Sequence, residues 1–319
     1  MLEFKTTLPN VKRPRIIKLE EHNPLWKEFF EREKVKIEQS FSQKAVELVD
    51  VLHVGSTSVE GLLAKPIIDI ILVLKDPYHA DEPLSEVGYK YKGEYNLPMR
   101  RMFGKQGEFE VYMHVYGEGN PEIELNRTFV DFLKSNMSAR EEYSVLKKSI
   151  IAKDAAYKTT SIGITTYNLE KSKFIQESLK KAGFNGLCMR LCAQDCEWAD
   201  YKLIRENSLA RFRRSNGIDT DQNKKHIVLI KGIEIVAASQ VNVSEPNAFI
   251  EFLGVKTQSD SRVMLLEHLL GNIEKWLGRL GTLFVTASVT QENRDIFKRA
   301  QYTEIAKKDS MLHMVKYLS

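Results

Sequence analysis

Residues 53–74 read HVGSTSVEGLLAKPIIDIILVL, and this stretch sets the fold of the first half of the chain. Residues 51–54 are a short apolar run that stops at Gly55-Ser56, and residues 67–74 are a longer one broken only by Asp69. Apolar runs bounded by turn residues read as buried strands, so two strands joined by a polar, glycine-containing loop are expected. Function sits more often on such a loop than on the strands that hold it.

The totals bound what surrounds this unit. A chain of 319 residues is long for a single core, so two domains are expected. Hydrophobic content of 43% and charged content of 28% are those of an ordinary globular protein. The 47 basic residues are interspersed with 43 acidic ones, and a net charge of +4 gives no global field for nucleic acid. No apolar run is long enough for a membrane span and residues 1–15 lack a signal-peptide core, so a cytoplasmic location is expected. Cys188, Cys192 and Cys196, four apart, suit structural thiols on one helical face.

Outward from the central unit, His22-Asn23-Pro24 reads as a helix start and is followed by the helical run LWKEFFEREKVKIEQSF. A helix is expected near residues 78–87, then strands near 99–103 and 109–116, then helices from 122 to about 182. Gly183-Phe184-Asn185-Gly186 reads as cap and linker, giving domains of 1–184 and 187–319. The second half alternates helix (195–211), strands (226–230, 235–241, 248–255), helix (262–277), strand (283–289), helix (292–300) and terminal strands. The fold class is α/β (α+β) throughout.

The interval from Gly55-Ser56 to Asp69 resembles the nucleotidyltransferase pattern, in which carboxylates two apart on one strand hold magnesium. Asp69 would supply the first acid and be the candidate Mg2+ ligand, but Ile71 stands at the second position. HVGSTSVEGLLAKPIIDI itself, with HNPLWKEFF, GYKY, MRRMF, VYMHVY, RTFVDFLKSN and YNLEKSKFI, resembles the GrpB family, whose members have a nucleotidyltransferase-like mixed sheet. That resemblance covers roughly residues 13–184 and implies a cleft containing Gly55, Ser56, Lys65, Asp69, Arg100 or Arg101, His114 and Arg127, suited to a phosphorylated or nucleotide-like ligand. In a plainer alternative Gly55 only makes the turn, Asp69 ties down the loop, and His53 and His114 are structural. A Ser56, His53, Asp69 triad lacks an elbow motif. Active nucleotidyl transfer would need a further carboxylate such as Glu110 or Glu124.

The second half resembles the GNAT acetyltransferases. MRLCAQDCEWADYKLI is similar to their first strand and helix, EFLGV and LLEHLLGNIEKW to the central strand and following helix, and LFVTASVTQENRDIFKRAQYTEI to the closing elements. The resemblance implies acetyl-CoA held between two parallel strands at Leu253 and Val255 and at the helix start by Ser261, Arg262 and Val263. It also implies Glu251 as general base for a small-molecule amine if its side chain faces the cleft; otherwise Glu251 is a solvated strand acid. The segment TQSDSRVM (257–264) carries none of the glycines that usually let a pyrophosphate approach. Asp260 would repel a pyrophosphate there, and Arg262 would offset it. Phe297 stands where a tyrosine usually protonates the thiolate, leaving water or Tyr302 as the substitute donor. The basic cluster Arg211, Arg213 and Arg214 reads as a solvated helix end or a contact for acidic groups. The expected function is acyl-CoA-dependent N-acetylation, with a phosphorylated ligand in the first domain. The alternative is a non-catalytic metabolite sensor with two degenerate enzyme folds.

Overall fold

A computed structural model describes residues 18–153, 165–193, 195–209, 223–256, 261–308 and 311–318. The cluster Arg211, Arg213 and Arg214 and the acid Asp260 lie outside them, as does the side chain of Cys196. The chain forms two units. One contains residues up to Gly186 except Asn96–Met99, and the other contains those four residues with Leu187–Ser319.

In the first unit, helix α1 (Leu25–Gln43) begins where Asn23 Oδ1 accepts the Leu25 amide at 3.0 Å, with Pro24 at its start. Its buried residues Trp26, Phe29, Phe30, Glu33, Ile37 and Phe41 recur at helical spacing, so one stripe faces the sheet. Full burial of each large apolar side chain contributes roughly 1.5–3 kcal/mol. Glu33 joins that stripe as a charge because Lys36, Lys105 and Tyr89 all donate to it, and together they hold its carboxyl below the usual range against the opposing effect of burial.

Strands β1 (Leu48–Val54), β2 (Ile67–Leu74), β3 (Lys90–Gly93), β4 (Arg101–Lys105) and β5 (Glu110–Gly117) form one sheet in the order β1-β2-β5-β4-β3. Only β2 and β5 run parallel. β2 is apolar along its length because both faces are covered. Ile68, Ile70 and Leu72 pack with α1, while Ile71 and Val73 pack with helices α3 (Pro121–Ser135) and α4 (Met137–Ile151). β3 is a strand that periodicity does not reveal. Lys90, Tyr91 and Lys92 are all exposed at the sheet edge, so no apolar alternation marks it. Between β2 and β3 lies a helix, α2 (Asp81–Glu86), and after α4 come α5 (Thr166–Glu170) and α6 (Ser172–Lys181).

The second unit contains β6 (Leu187–Leu191), α7 (Asp195–Leu209), β7 (Lys224–Lys231), β8 (Glu234–Ser244), β9 (Asn247–Val255), α8 (Arg262–Arg279), β10 (Phe284–Thr290), α9 (Arg294–Arg299), β11 (Thr303–Lys308) and β12 (Met311–Tyr317). Its strands make one sheet, β11-β12-β10-β9-β8-β7-β6, in which only β9 and β10 are parallel. α8 supplies the crossover a parallel pair requires and packs Leu266, Leu269, Leu270 and Ile273 onto one core. Tyr201 and Ile204 of α7 pack with Phe252 in another. The cysteines do not share a helical face: Cys188 is a buried residue of β6, Cys192 is buried just beyond that strand, and Cys196 falls in α7. Four-residue spacing across a strand end mimics a helix repeat.

Candidate functional sites

Gly55 closes β1 with φ +70°, and a Cβ there would lie 2.5 Å from Asp69 Oδ2. Glycine is therefore required both by the backbone conformation and by the carboxylate packed against it. The following turn, Ser56–Ser58, is tied down by Ser58 Oγ donating to the Gly55 carbonyl at 2.8 Å and Thr57 Oγ1 donating to the Ile67 carbonyl at 3.1 Å. Asp69 is level with Tyr112, and Ile71 with His114, in the parallel β2–β5 pair, so these side chains share the face toward α3 and α4. His114 Nε2 lies 3.6 Å from Asp69 Oδ1.

Three lysines from distant parts of the chain surround this turn. Lys65 and Lys171 sit over the same aromatic ring, with ammonium groups 3.9 and 4.5 Å from the Tyr167 centroid. Lys147, on α4 and fully buried, donates to Ser56 Oγ at 3.2 Å and to the Leu63 carbonyl. Burial lowers the Lys65 pKa to about 8 against the attraction of Asp69 and Glu110. Burial lowers Lys171 to about 8, assisted by repulsion from Lys65, and lowers Lys147 to about 7, assisted by repulsion from Lys171.

The fold brings together Gly55, Ser56, Lys65, Asp69 and His114. Arg100 and Arg101 are engaged elsewhere. Arg101 pairs with Val115 in the β4–β5 register and so points to the α1 face, where Asp81 accepts from it and Tyr78, Tyr91 and Phe103 enclose its guanidinium. Arg100 donates to the Glu94 carbonyl at 3.0 Å instead. Arg127 is exposed on α3. His53 also faces away from Asp69: it stacks on Phe30 at 4.8 Å and shares a 3.0 Å hydrogen bond with Thr57, and burial takes its pKa to about 4. No Ser56, His53, Asp69 triad forms.

The donor set does not fit magnesium. Among the described residues no three His, Cys, Asp or Glu converge. Ile71 is fully buried in the α3–α4 core, Glu110 accepts from Gln106 at 2.7 Å, and Glu124 accepts from Thr128 on exposed helix surface. Three ammoniums and one carboxylate are not the all-oxygen donor set that Mg2+ takes.

In the second unit, β9 and β10 are paired from Asn247–Phe284 to Ile250–Ala287, and the register stops there although both strands continue. The gap is a cleft of about 190 Å3 whose lining includes Glu251, Leu253, Val255, Arg262, Ser288 and Phe297. Glu251 is half-buried; Gln240 Nε2 donates to its Oε2 at 2.5 Å, and Lys224 Nζ lies 3.4 Å from Oε1. Gln240 accepts in turn from Tyr201 at 3.1 Å, and Tyr201 shares a 2.8 Å hydrogen bond with His226. Arg262 binds Asn293 and is 3.0 Å from Glu292, while Asn293 Nδ2 donates to the Leu253 carbonyl at 3.4 Å. Ser261 precedes α8 without a side-chain cap, and Val263 is exposed.

Tyr302 does not line this cleft. Gln301 takes φ +69° and the Tyr302 amide returns to the Phe297 carbonyl at 2.9 Å, so the chain reverses and buries the ring in the α8 core. Burial and the Glu274 carboxylate push its hydroxyl pKa up. Of the two donors the sequence suggests, Tyr302 is turned away from the cleft and water is left. Conversely, Lys147, Lys171, Lys224, Gln240 and Asn293 join the two sites without having been singled out. Tyr167 and Lys171 both lie in YNLEKSKFI, the one signal that could have flagged them.

The model of the GrpB protein family matches residues 16–181. UPF0157 protein BH1888 of Halalkalibacterium halodurans is 36% identical over 172 residues, covering 52% of this chain and 82% of that protein. The match to UPF0157 protein YqkA of Bacillus subtilis, also 36% identical, spans only 38% of that longer relative. Conserved protein GrpB from Enterococcus faecalis is a structural neighbour at 30% identity and TM-score 0.44, covering 52% of this chain and 96% of that one. PaiA N-acetyltransferase from Thermoplasma acidophilum, solved with coenzyme A, is 12% identical at TM-score 0.32 and covers 41% of this chain and 99% of that one.

Proposed function

The chain belongs to the GrpB family, and from that premise we propose that it couples a phosphorylated-ligand site in the family unit to acyl-CoA-dependent N-acetyl transfer in the second unit. The observation that carries the transfer reading is the parting of β9 and β10 beside Glu251. A strand edge released from its neighbour can pair with the amides of an extended pantetheine arm. In the reaction, the acceptor amine attacks the thioester carbonyl, its N–H proton passes to Glu251, the C–S bond breaks, and the thiolate takes a proton from solvent. Arg262 would exchange its Glu292 partner for the coenzyme's pyrophosphate. Calorimetry with acetyl-CoA and with CoA tests this: saturable heat is expected, and none at high micromolar concentration overturns it.

A second reading, a sensor that binds without turnover, is favoured by Phe297 in the cleft and by Tyr302 buried away from it. Thermal stabilisation by acetyl-CoA with no loss of the acetyl group over hours would support the sensor, and consumption would support the enzyme.

A further inference from the structure

We propose that Lys65, Lys147 and Lys171, with the Gly55-Ser56 turn, form a metal-independent site for a phosphoryl group carrying at least two negative charges. This deepens the phosphorylated-ligand half of the reading above and rests on it. Buried or half-buried cations are normally paired, because an unpaired charge loses hydration without compensation. Here two ammonium groups share the Tyr167 ring. Among the described residues none of the three lysines is in an ion pair. Asp69 attracts Lys65 and Lys171 without forming an ion pair with either, its carboxylate packing on Gly55 and facing His114, and one negative charge leaves the three ammoniums in excess. Glu110 attracts Lys65 but already accepts from Gln106. The remaining titratable neighbours, Tyr143 and Tyr167, have pKa values raised chiefly by burial and stay neutral.

The hydrogen-bond directions agree with an anion. Lys147 donates to Ser56 Oγ, so the serine's own proton is left for another acceptor. Lys147 is therefore a positioning residue, and Lys65 and Lys171 are the point charges that meet the ligand. Lysine charge takes the part a metal plays where two carboxylates are present, and the apolar Ile71 belongs to the same arrangement.

The test is titration calorimetry of the full chain with inorganic pyrophosphate at pH 7, in EDTA and again with excess Mg2+. Binding in EDTA is expected, with Lys65→Gln and Lys171→Gln each weakening it about tenfold or more. Affinity should fall from pH 7 to 9, and in buffers of different ionisation enthalpy the heat should report proton uptake on binding. Lys147→Met should flatten that pH dependence; the Lys65 and Lys171 variants decide the case if it does not fold. A nucleoside diphosphate binding tighter than pyrophosphate identifies a nucleotide ligand, and equal affinity a free phosphoester or pyrophosphate; both support the site. Binding only with Mg2+, or unchanged affinity in the lysine variants, removes the lysine site but leaves the phosphorylated-ligand reading standing. No binding of either probe at millimolar concentration in any buffer removes both.

Discussion

The two candidate sites differ in what they leave unsatisfied. In the first unit three ammonium groups crowd one turn with no carboxylate paired to any of them among the described residues. In the second, the charges at the cleft are matched: Glu251 by Gln240 and Lys224, Arg262 by Glu292 and Asn293. What stands open there is backbone, the strand edges beyond Ile250 and Ala287. The first site carries unmatched charge, while the second has matched charges and open strand edges. Electrostatic excess thus distinguishes a site whose ligand class can be named from one whose ligand must be argued from shape.

The contrast can be broken most forcefully at position 71. Ile71→Asp would restore the missing acid but bury an unpaired carboxylate in the α3–α4 core, and a loss of about 3–5 kcal/mol is expected in urea denaturation. An unchanged midpoint with new Mg2+ binding would mean that the lysines are not the counter-charge. In the second unit, Glu251→Gln should lower acetyl transfer about a hundredfold while leaving the acetyl-CoA dissociation constant unchanged, read by a thiol-release assay beside calorimetry. Equal turnover would end the role of Glu251 as base. Gly55→Ala should cost about 2 kcal/mol of folding stability, since a Cβ meets both a positive φ and the Asp69 oxygen.

The smallest effect is in pH. The folded pKa values of Lys65, Lys147 and Lys171, about 8, 7 and 8, lie below the ordinary lysine value of about 10.4, so the unfolded chain holds more protons between them. Stability without ligand should therefore rise as pH increases from 7 to 9. Pyrophosphate should flatten that slope. Scanning calorimetry across the range, with and without the anion, measures both; a falling midpoint would contradict the arrangement of cations.

Much of this was legible in the sequence where the partners are close in the chain. Gly55 and Asp69 belong to one strand-turn-strand unit, and their packing follows from a loop that must return to an adjacent antiparallel strand. Lys147 lies on α4, 91 residues from the serine it contacts, and in a helical run a lysine reads as solvated surface. The resemblance implies Arg100 or Arg101 beside Asp69, yet which face Arg101 takes depends on the β4–β5 register, and a shift of one residue exchanges the faces. Tyr302 failed for a similar local reason: the positive φ at Gln301, a conformation glutamine seldom adopts, turns the ring inward. The α/β order of the second unit was clear from alternating periodicity, whereas the point at which β9 and β10 separate has no sequence mark.

One earlier contact links the posture of a helix to the chemistry of a strand. Tyr201 rides on α7 and grips Gln240, which in turn grips Glu251, while Ser208 of the same helix crowds Gly254 so closely that no side chain fits between them. Ser208 also lines the cleft, so one helix both walls it and, through two hydrogen bonds, holds the carboxylate that lies in it.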